Sequence, residues 1–280
     1  MKVGVLYHFS GLPYTAALIC SIHELRKYYG GPICIAALPE CFDVAQRLAS
    51  CPKLRCLVTP TEVIFRTIKK HWMSKLCTFI ASPFERTVFM DADTIWNRDC
   101  CDTELFKGAG LVLTELNGQR LGDETAIARS LLDRMSYLND YGPVLSRDFK
   151  AAVESKPLLI NTGVMAWDKG HPLITRLHDV MLAVRTSHTA SDETVMQMLI
   201  GIDAGSRRDA ETDLSVLNSR YNWISRRTSE KDIAIRHFTR RNWYLRERDE
   251  YAESLRYARE KNAGFISDWL PQCFTPVNLV

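Results

Sequence analysis

The sequence predicts an α/β protein with a mixed, mostly parallel central sheet flanked by helices. Two observations carry this expectation. Short apolar runs of β-rich composition alternate with stretches of helical periodicity through the first hundred residues, which is the pattern of strands joined by helical crossovers. One of these runs, Arg86-Thr87-Val88-Phe89-Met90, ends in the acidic tip Asp91-Ala92-Asp93-Thr94, and sheets of this kind bind ligands beyond the carboxyl ends of their strands.

Taken in order, Val3 to Tyr7 reads as a strand, and Gly11-Leu12-Pro13 turns the chain. Leu18, Ile22 and Leu25 then recur at helical spacing until Gly30-Gly31. Ile33 to Leu38 is a second strand, Pro39 to Ser50 a helix, and Leu54 to Val58 a third strand ended by Pro60. Trp72 to Ala81 is helical with Trp72, Leu76, Phe79 and Ile80 on one face, and Pro83 breaks it before the acidic strand. His8, Phe9 and Ser10 are therefore expected to meet Asp91 and Asp93 at one edge of the sheet.

In an extended chain alternate residues point the same way, so Asp91 and Asp93 can converge on one hard cation where the strand ends. Lys and Arg are absent between Thr87 and Asn97, so an added cation is the expected counter-charge. A pair of acids in a surface turn is the plainer account. Against it stand the apolar flanks Val88-Phe89-Met90 and Ile95-Trp96, which draw the acids inward, where unpaired charge is costly.

Beyond Asn97, Leu111 to Thr114 reads as a strand, Thr125 to Leu138 as a helix, and Asn139 to Lys156 as substrate-facing loop or short helix. In the apolar strand Pro157 to Trp167, the polar Asn161-Thr162-Gly163 must find hydrogen bonds, and Gly163 permits close approach by a ligand or backbone. A β-bulge is the alternative reading. Pro172 to Arg185 is an amphipathic helix, and Ser191-Asp192-Glu193-Thr194 opens another over Val195 to Ile200. Capping and dipole pairing explain Asp192 and Glu193 without any catalytic role. Leu217 to Trp223 is polar and aromatic, Ile233 to Phe238 is a late strand bearing His237, and Tyr244 to Asn262 is a charged helix.

Length and composition set further bounds. With 280 residues, 46% of them hydrophobic, the chain can bury a large core. A net charge of +3 with no basic run interleaved with aromatics argues against nucleic-acid binding. Nine cysteines is an odd count without a CxxC pair; Cys20, Cys34, Cys56 and Cys77 lie in apolar stretches as small hydrophobes, so a reducing, cytoplasmic setting is expected. No signal-peptide core or membrane-length stretch is present in the sequence. Neither GxGxxG nor GxxxxGK[ST] occurs, so a phosphate-bearing ligand would have to be held by a cation.

The ordered series Pro13-Tyr14-Thr15-Ala16-Ala17-Leu18, Ser74-Lys75-Leu76, Val88 to Thr94, Asn161-Thr162-Gly163-Val164, Asp192-Glu193 and His237-Phe238 resembles the retaining GT-A fold glycosyltransferases of family 8. That family includes glycogenin and bacterial lipopolysaccharide galactosyltransferases. The resemblance implies a single catalytic domain over 1–280: a nucleotide-binding half at 1–100, an acceptor and donor-sugar half at 101–243, and a helical tail at 244–280. It implies a nucleoside-diphosphate sugar as donor, most often a UDP-sugar, with Mn²⁺ or Mg²⁺ on the diphosphate. The acceptor would be a carbohydrate, a glycoconjugate or a protein. By the same resemblance Asp91, Asp93 and His237 hold the metal, Tyr14 stacks on the base, and Lys75 lies near nucleotide and sugar. Phe9, Ser10, Ala92, Asn161 and Gly163 line the donor site, and Asp192 and Glu193 stand at the reacting face.

Two departures from the family pattern matter. The family's Gly-x-x-Lys-Pro-Trp after the metal histidine is replaced by Thr239-Arg240-Arg241-Asn242-Trp243, in which Arg240 or Arg241 could clamp the diphosphate bidentately. Glu193 stands where the family usually carries Gln. Two alternatives accompany this reading. A haloacid-dehalogenase-type phosphatase also places an Asp-x-Asp after an apolar strand, although its domain opens with that motif. The other is a catalytically silent binder of nucleotide sugars.

Overall fold

The computed structural model describes residues 2–11, 14–52, 54–61, 74–139, 154, 156–184, 191–206, 213–224 and 233–237. In chain order the elements are β1 (Val3–Phe9), α1 (Thr15–Leu25), β2 (Ile33–Ala37), α2 (Phe42–Ala49), β3 (Cys56–Pro60), α3 (Lys75–Ile80), β4 (Arg86–Met90), β5 (Thr94–Trp96) and α4 (Glu104–Lys107). They continue with β6 (Leu111–Arg120), α5 (Ala126–Asn139), β7 (Leu158–Asp168), α6 (Pro172–Ala183), α7 (Asp192–Ser206), β8 (Leu214–Leu217) and β9 (Ile235–His237). Seven strands form one sheet in the order β3-β2-β1-β4-β7-β6-β8. Four neighbouring pairs are parallel, and β7 runs antiparallel to both β4 and β6. A second, two-stranded sheet joins β5 to β9, pairing Thr94 with His237.

Strand alternation divides the core into two layers. On one face Val5, Tyr7 and Phe9 of β1, Val88 and Met90 of β4, and Val164 and Ala166 of β7 pack with Leu18, Ile22 and Leu25 of α1 and Leu48 of α2. On the other, Leu6, Phe89, Met165 and Trp167 pack with Leu76 and Phe79 of α3, Leu177 of α6 and Leu199 of α7. Strands covered on both faces read as continuous apolar runs, which is why they were legible from composition. At the edge opposite the acids, buried Arg86 pairs with Asp168 at 2.8 Å and donates to the carbonyls of Leu105 and Glu104. That pair ties β4, β7 and the α4 turn together.

The expected elements form with several differences. Pro39–Cys41 is a 3₁₀ turn before α2, because Pro39 opens it in a tighter coil. The third strand lies two residues later than predicted, after Arg55 at positive φ. Ile80 does not share the buried face of α3 with Leu76 and Phe79; it is 46% exposed. β6 runs to Arg120 rather than ending at Thr114. The short β5, β8 and α4 were not predicted, since three or four residues carry no measurable period. Trp72, Phe238, Arg240, Arg241, nearly all of the 139–156 stretch and the 244–262 helix lie outside the described residues.

Among the described residues eight cysteines are free thiols, all but Cys101 buried, and burial pushes Cys34 up to about 11 and Cys20 up to about 12. Among the described residues no helix is long and apolar enough to cross a membrane.

Candidate active site

The site forms where β4 stops. The Asp91 amide still donates to the Gly163 carbonyl of β7 at 2.8 Å, and the chain then turns. Thr94 closes the turn, its amide and hydroxyl both donating to the Asp91 carbonyl, at 3.2 and 2.7 Å. Ser21 of α1 lies 3.3 Å behind that hydroxyl and Tyr7 of β1 2.8 Å behind Ser21, so the acidic turn rests on buried hydroxyls from two other elements. Pairing of β5 with β9 then carries His237 to the acids. Its Nε2 lies 3.2 Å from Asp93 Oδ1 and 3.5 Å from Asp91 Oδ2.

Asp91, Asp93 and His237 each offer a ligand atom within 4.8 Å of the others. Oxygen and imidazole donors about 2.1 Å from one ion stand roughly 3–4 Å apart, so the trio fits a small divalent cation. The imidazole favours Mn²⁺ over Mg²⁺. Burial alone would lower the His237 pKa, but the Asp93 and Asp91 carboxylates outweigh it and hold the ring above the ordinary histidine value. Burial likewise pushes Asp93 up, and the charge and hydrogen bond of His237 more than reverse it, leaving Asp93 below the usual carboxylate range. Asp91 goes the other way: burial raises it, and Lys75 and His237 offset this only in part.

The local scarcity of bases around the acids does not leave them without counter-charge. Lys75, at the start of α3, places its Nζ 2.9 Å from Asp91 Oδ1 and 2.9 Å from Asp192 Oδ2, above the Phe89 ring. A base from a different element therefore supplies part of the counter-charge beside the trio that could hold an added cation. Burial disfavours the ammonium, yet Asp192 and Asp91 together raise its pKa above the usual lysine value.

The polar break in β7 coincides with a bulge. The pairing of β6 with β7 shifts register between Val112 and Thr114, so the strand bulges at the expected place. The bulge aims side chains at the site. Thr162 donates to Asp192 Oδ2 at 2.6 Å, and Asn161 Nδ2 reaches Glu193 Oε1 at 3.4 Å. A side chain on Gly163 would overlap the His237 ring, so glycine is required there by close packing. Asp192 sits in the first turn of α7, one residue inside its cap. Ser191 caps the helix, its hydroxyl accepting from the Thr194 amide at 3.2 Å. Burial raises Asp192, but Lys75 and the Thr162 hydrogen bond bring it below the ordinary range. Burial raises Glu193, offset only partly by Arg134.

Lys75, Asp91, Asp93, Asn161, Gly163, Asp192, Glu193 and His237 thus form one contacting cluster at the strand ends, and Ala92 between the two acids is buried in the core. Phe9 does not line it: its ring is fully buried in the core, and its carbonyl accepts from the Leu38 amide at 3.0 Å. Phenylalanine at the last position of β1 faces the same layer as Val5 and Tyr7, and alternation dictates that burial. Ser10 follows at 8% exposure, and Tyr14 sits half-buried before α1, against the core. Arg240 and Arg241 lie outside the described residues.

Sequence reading gave Thr162 no role beyond the polar break and missed Thr114 and Asn222. The hydroxyl of Thr162 inside an apolar strand was a usable signal; nothing around Asn222 marked it. Asn222 Oδ1 lies 2.8 Å from His237 Nδ1, and its Nδ2 lies 2.9 Å from Thr114 Oγ1 and 2.7 Å from Asn161 Oδ1.

No protein-family model matches the sequence, and no curated protein matches it. Solved structures do. A crystal structure of mouse xyloside xylosyltransferase 1 in its apo form aligns with a TM-score of 0.54 at 15% identity, over 85% of this chain and 97% of its own. The galactosyltransferase LgtC, crystallised with donor and acceptor sugar analogues, aligns with a TM-score of 0.54 at 12% identity, over 97% of this chain and 100% of its own. The chain has the GT-A glycosyltransferase fold. A haloacid dehalogenase architecture, one of the alternatives raised by the Asp-x-Asp strand, is thereby excluded.

Proposed function

We propose that this chain is a metal-dependent retaining glycosyltransferase that moves a sugar from a UDP-sugar to a carbohydrate, glycoconjugate or protein acceptor. The observation that carries the reading is the convergence of Asp91, Asp93 and His237 beside Lys75, Asp192 and Glu193 at the carboxyl edge of a GT-A sheet. A divalent ion held by the trio supplies Lewis-acid stabilisation of the charge left on the diphosphate.

The chain's own residues do the rest. Tyr14, at the head of α1, offers its ring to the base. Arg240 or Arg241 holds the diphosphate as a bidentate donor. Asp192, held ionised by Lys75 and aimed by Thr162, orients the donor sugar. Asn161 and Glu193 face the anomeric carbon. Retention can run through a carboxylate nucleophile or through front-side attack guided by the leaving phosphate, and a carboxylic residue at position 193 makes the first route chemically accessible.

Incubation with a panel of UDP-sugars and Mn²⁺ tests this. Slow, Mn²⁺-dependent release of free sugar and UDP is expected, with the anomeric configuration retained. Tight binding of UDP-sugar with no turnover on any donor would identify a silent binder instead.

A further inference from the structure

Among the buried groups that the proposed chemistry does not use, Asn222 has the most determined surroundings. It is 1% exposed and touches three strands. Its orientation follows from its neighbours. The Thr114 hydroxyl gives its single hydrogen to the carbonyl of Val164 at 3.0 Å or of Asn161 at 3.2 Å, so toward Asn222 it can only accept. Asn161 Oδ1 already accepts from the Gly163 amide at 2.8 Å, so it too requires a donor. Both acceptors therefore face Asn222 Nδ2, which leaves Asn222 Oδ1 toward His237.

Two consequences follow. A carbonyl oxygen facing Nδ1 favours the Nδ1–H tautomer of neutral His237, which leaves Nε2, beside Asp91 and Asp93, free to take a cation. The same amide also polarises a chain of single direction: His237 Nδ1 donates to Asn222, Asn222 Nδ2 donates to Asn161 Oδ1, and Asn161 Nδ2 donates to Glu193 Oε1. Flipping Asn222 would place two acceptors against its oxygen and a donor against the Nδ1 hydrogen, so the chain holds together or fails together.

We propose that Asn222 is a positioning residue that sets the tautomer of the metal-binding histidine and couples the metal site to the reacting face through Asn161. The inference rests on the metal reading of Asp91, Asp93 and His237. A residue that only fills space would give neither the tautomer nor the coupling. The backbone around it is secured separately, since the His237 amide donates to the Trp223 carbonyl at 2.9 Å and the Trp223 amide to Ile235.

Two substitutions separate the roles. Asn222→Ala removes both halves of the bridge, and Mn²⁺ affinity should fall roughly 10- to 100-fold, the usual effect of losing an outer-shell partner. Asn222→Asp keeps an acceptor for His237 Nδ1 but removes the donor to Asn161. It should bind Mn²⁺ within about threefold of wild type while kcat for donor hydrolysis falls at unchanged KM for the UDP-sugar. Nitrogen-15 NMR of His237 in the metal-free protein, above its titration midpoint, should show the Nδ1–H tautomer in wild type and Asn222→Asp, and a tautomer mixture in Asn222→Ala. Thermal melts of both variants confirm folding. Wild-type Mn²⁺ affinity in a folded Asn222→Ala, an Nε2–H tautomer in wild type, or equal loss of Mn²⁺ binding in both variants would overturn the inference. A wild-type protein that binds no Mn²⁺ would remove the metal reading and this inference with it, whereas the tautomer measurement judges the inference alone.

Discussion

The Lys75 ammonium lies 2.9 Å from the Asp91 carboxylate, so a candidate metal ligand is already paired with a base from the head of α3. The same Nζ holds Asp192, so Lys75 joins the acidic turn to the head of α7.

Breaking this arrangement should destabilise the protein in a pH-dependent way. Asp192, with its pKa lowered, contributes stability that is present above about pH 4 and lost as pH falls through its folded value. Lys75, with its pKa raised, contributes stability that is present below about pH 10 and lost as pH rises through its folded value. Lys75→Met leaves the partly exposed Asp91 and the nearly buried Asp192 without their shared cation and should cost roughly 3 kcal/mol at neutral pH. The loss should shrink on acidification as Asp91, already raised, takes up a proton. Urea denaturation of both proteins across pH 4 to 8 measures this; an equal loss at every pH would refute it.

Metal affinity should depend on pH through His237. The ring must be neutral to ligate, and the neighbouring acids raise its pKa in the metal-free protein. Mn²⁺ binding should therefore weaken on acidification from above about pH 6.5, by up to tenfold per unit. The metal-free protein carries the opposite dependence: the raised histidine contributes stability below about pH 6.5 that is lost as pH rises through its folded value. Asp93→Ala should abolish Mn²⁺-dependent UDP binding while the protein still folds, with some loss of stability because His237 loses its nearer carboxylate. Calorimetric Mn²⁺ titrations from pH 6 to 9 test the first point, and a flat affinity would remove His237 from the ligand set.

The division of labour at the head of α7 is separable by substitution. Ser191→Ala removes the helix cap and should lower stability by about 1 kcal/mol with kcat retained. Asp192→Asn loses the Lys75 ion pair and weakens acceptance from Thr162, and turnover should fall at least a hundredfold. Glu193→Gln keeps the size and the bond from Asn161 and should reduce turnover only modestly. Donor-hydrolysis rates beside thermal melts decide it; if Asp192→Asn behaves as Ser191→Ala does, both acids serve the helix.

Tyr14 should show a mixed effect. Its ring is half-buried against the core, and a base stacked on the exposed side would add about 1–3 kcal/mol. Tyr14→Ala should weaken UDP binding at least tenfold and also lower the melting temperature, while Tyr14→Phe preserves both. Unchanged UDP affinity in a destabilised Tyr14→Ala would mean that the ring is core alone.

The sequence by itself determined the longer strands and helices in their order and placed Asp91 and Asp93 at a strand tip, because alternation and apolar runs are local properties that survive in one dimension. It also marked Asn161-Thr162-Gly163 as a polar break that something had to satisfy. Only the tertiary structure decided what satisfies it. Lys75 supplies the charge missing around the acids, β9 brings His237 across the gap, and Ser191 takes the cap that frees Asp192 for Lys75 and Thr162. Asn222 gained its partners from Thr114, Asn161 and His237 the same way. Each of these depends on the direction of a hydrogen-bonding group between segments far apart in the chain, and a periodicity that reports which face is buried carries no information about which donor meets which acceptor there.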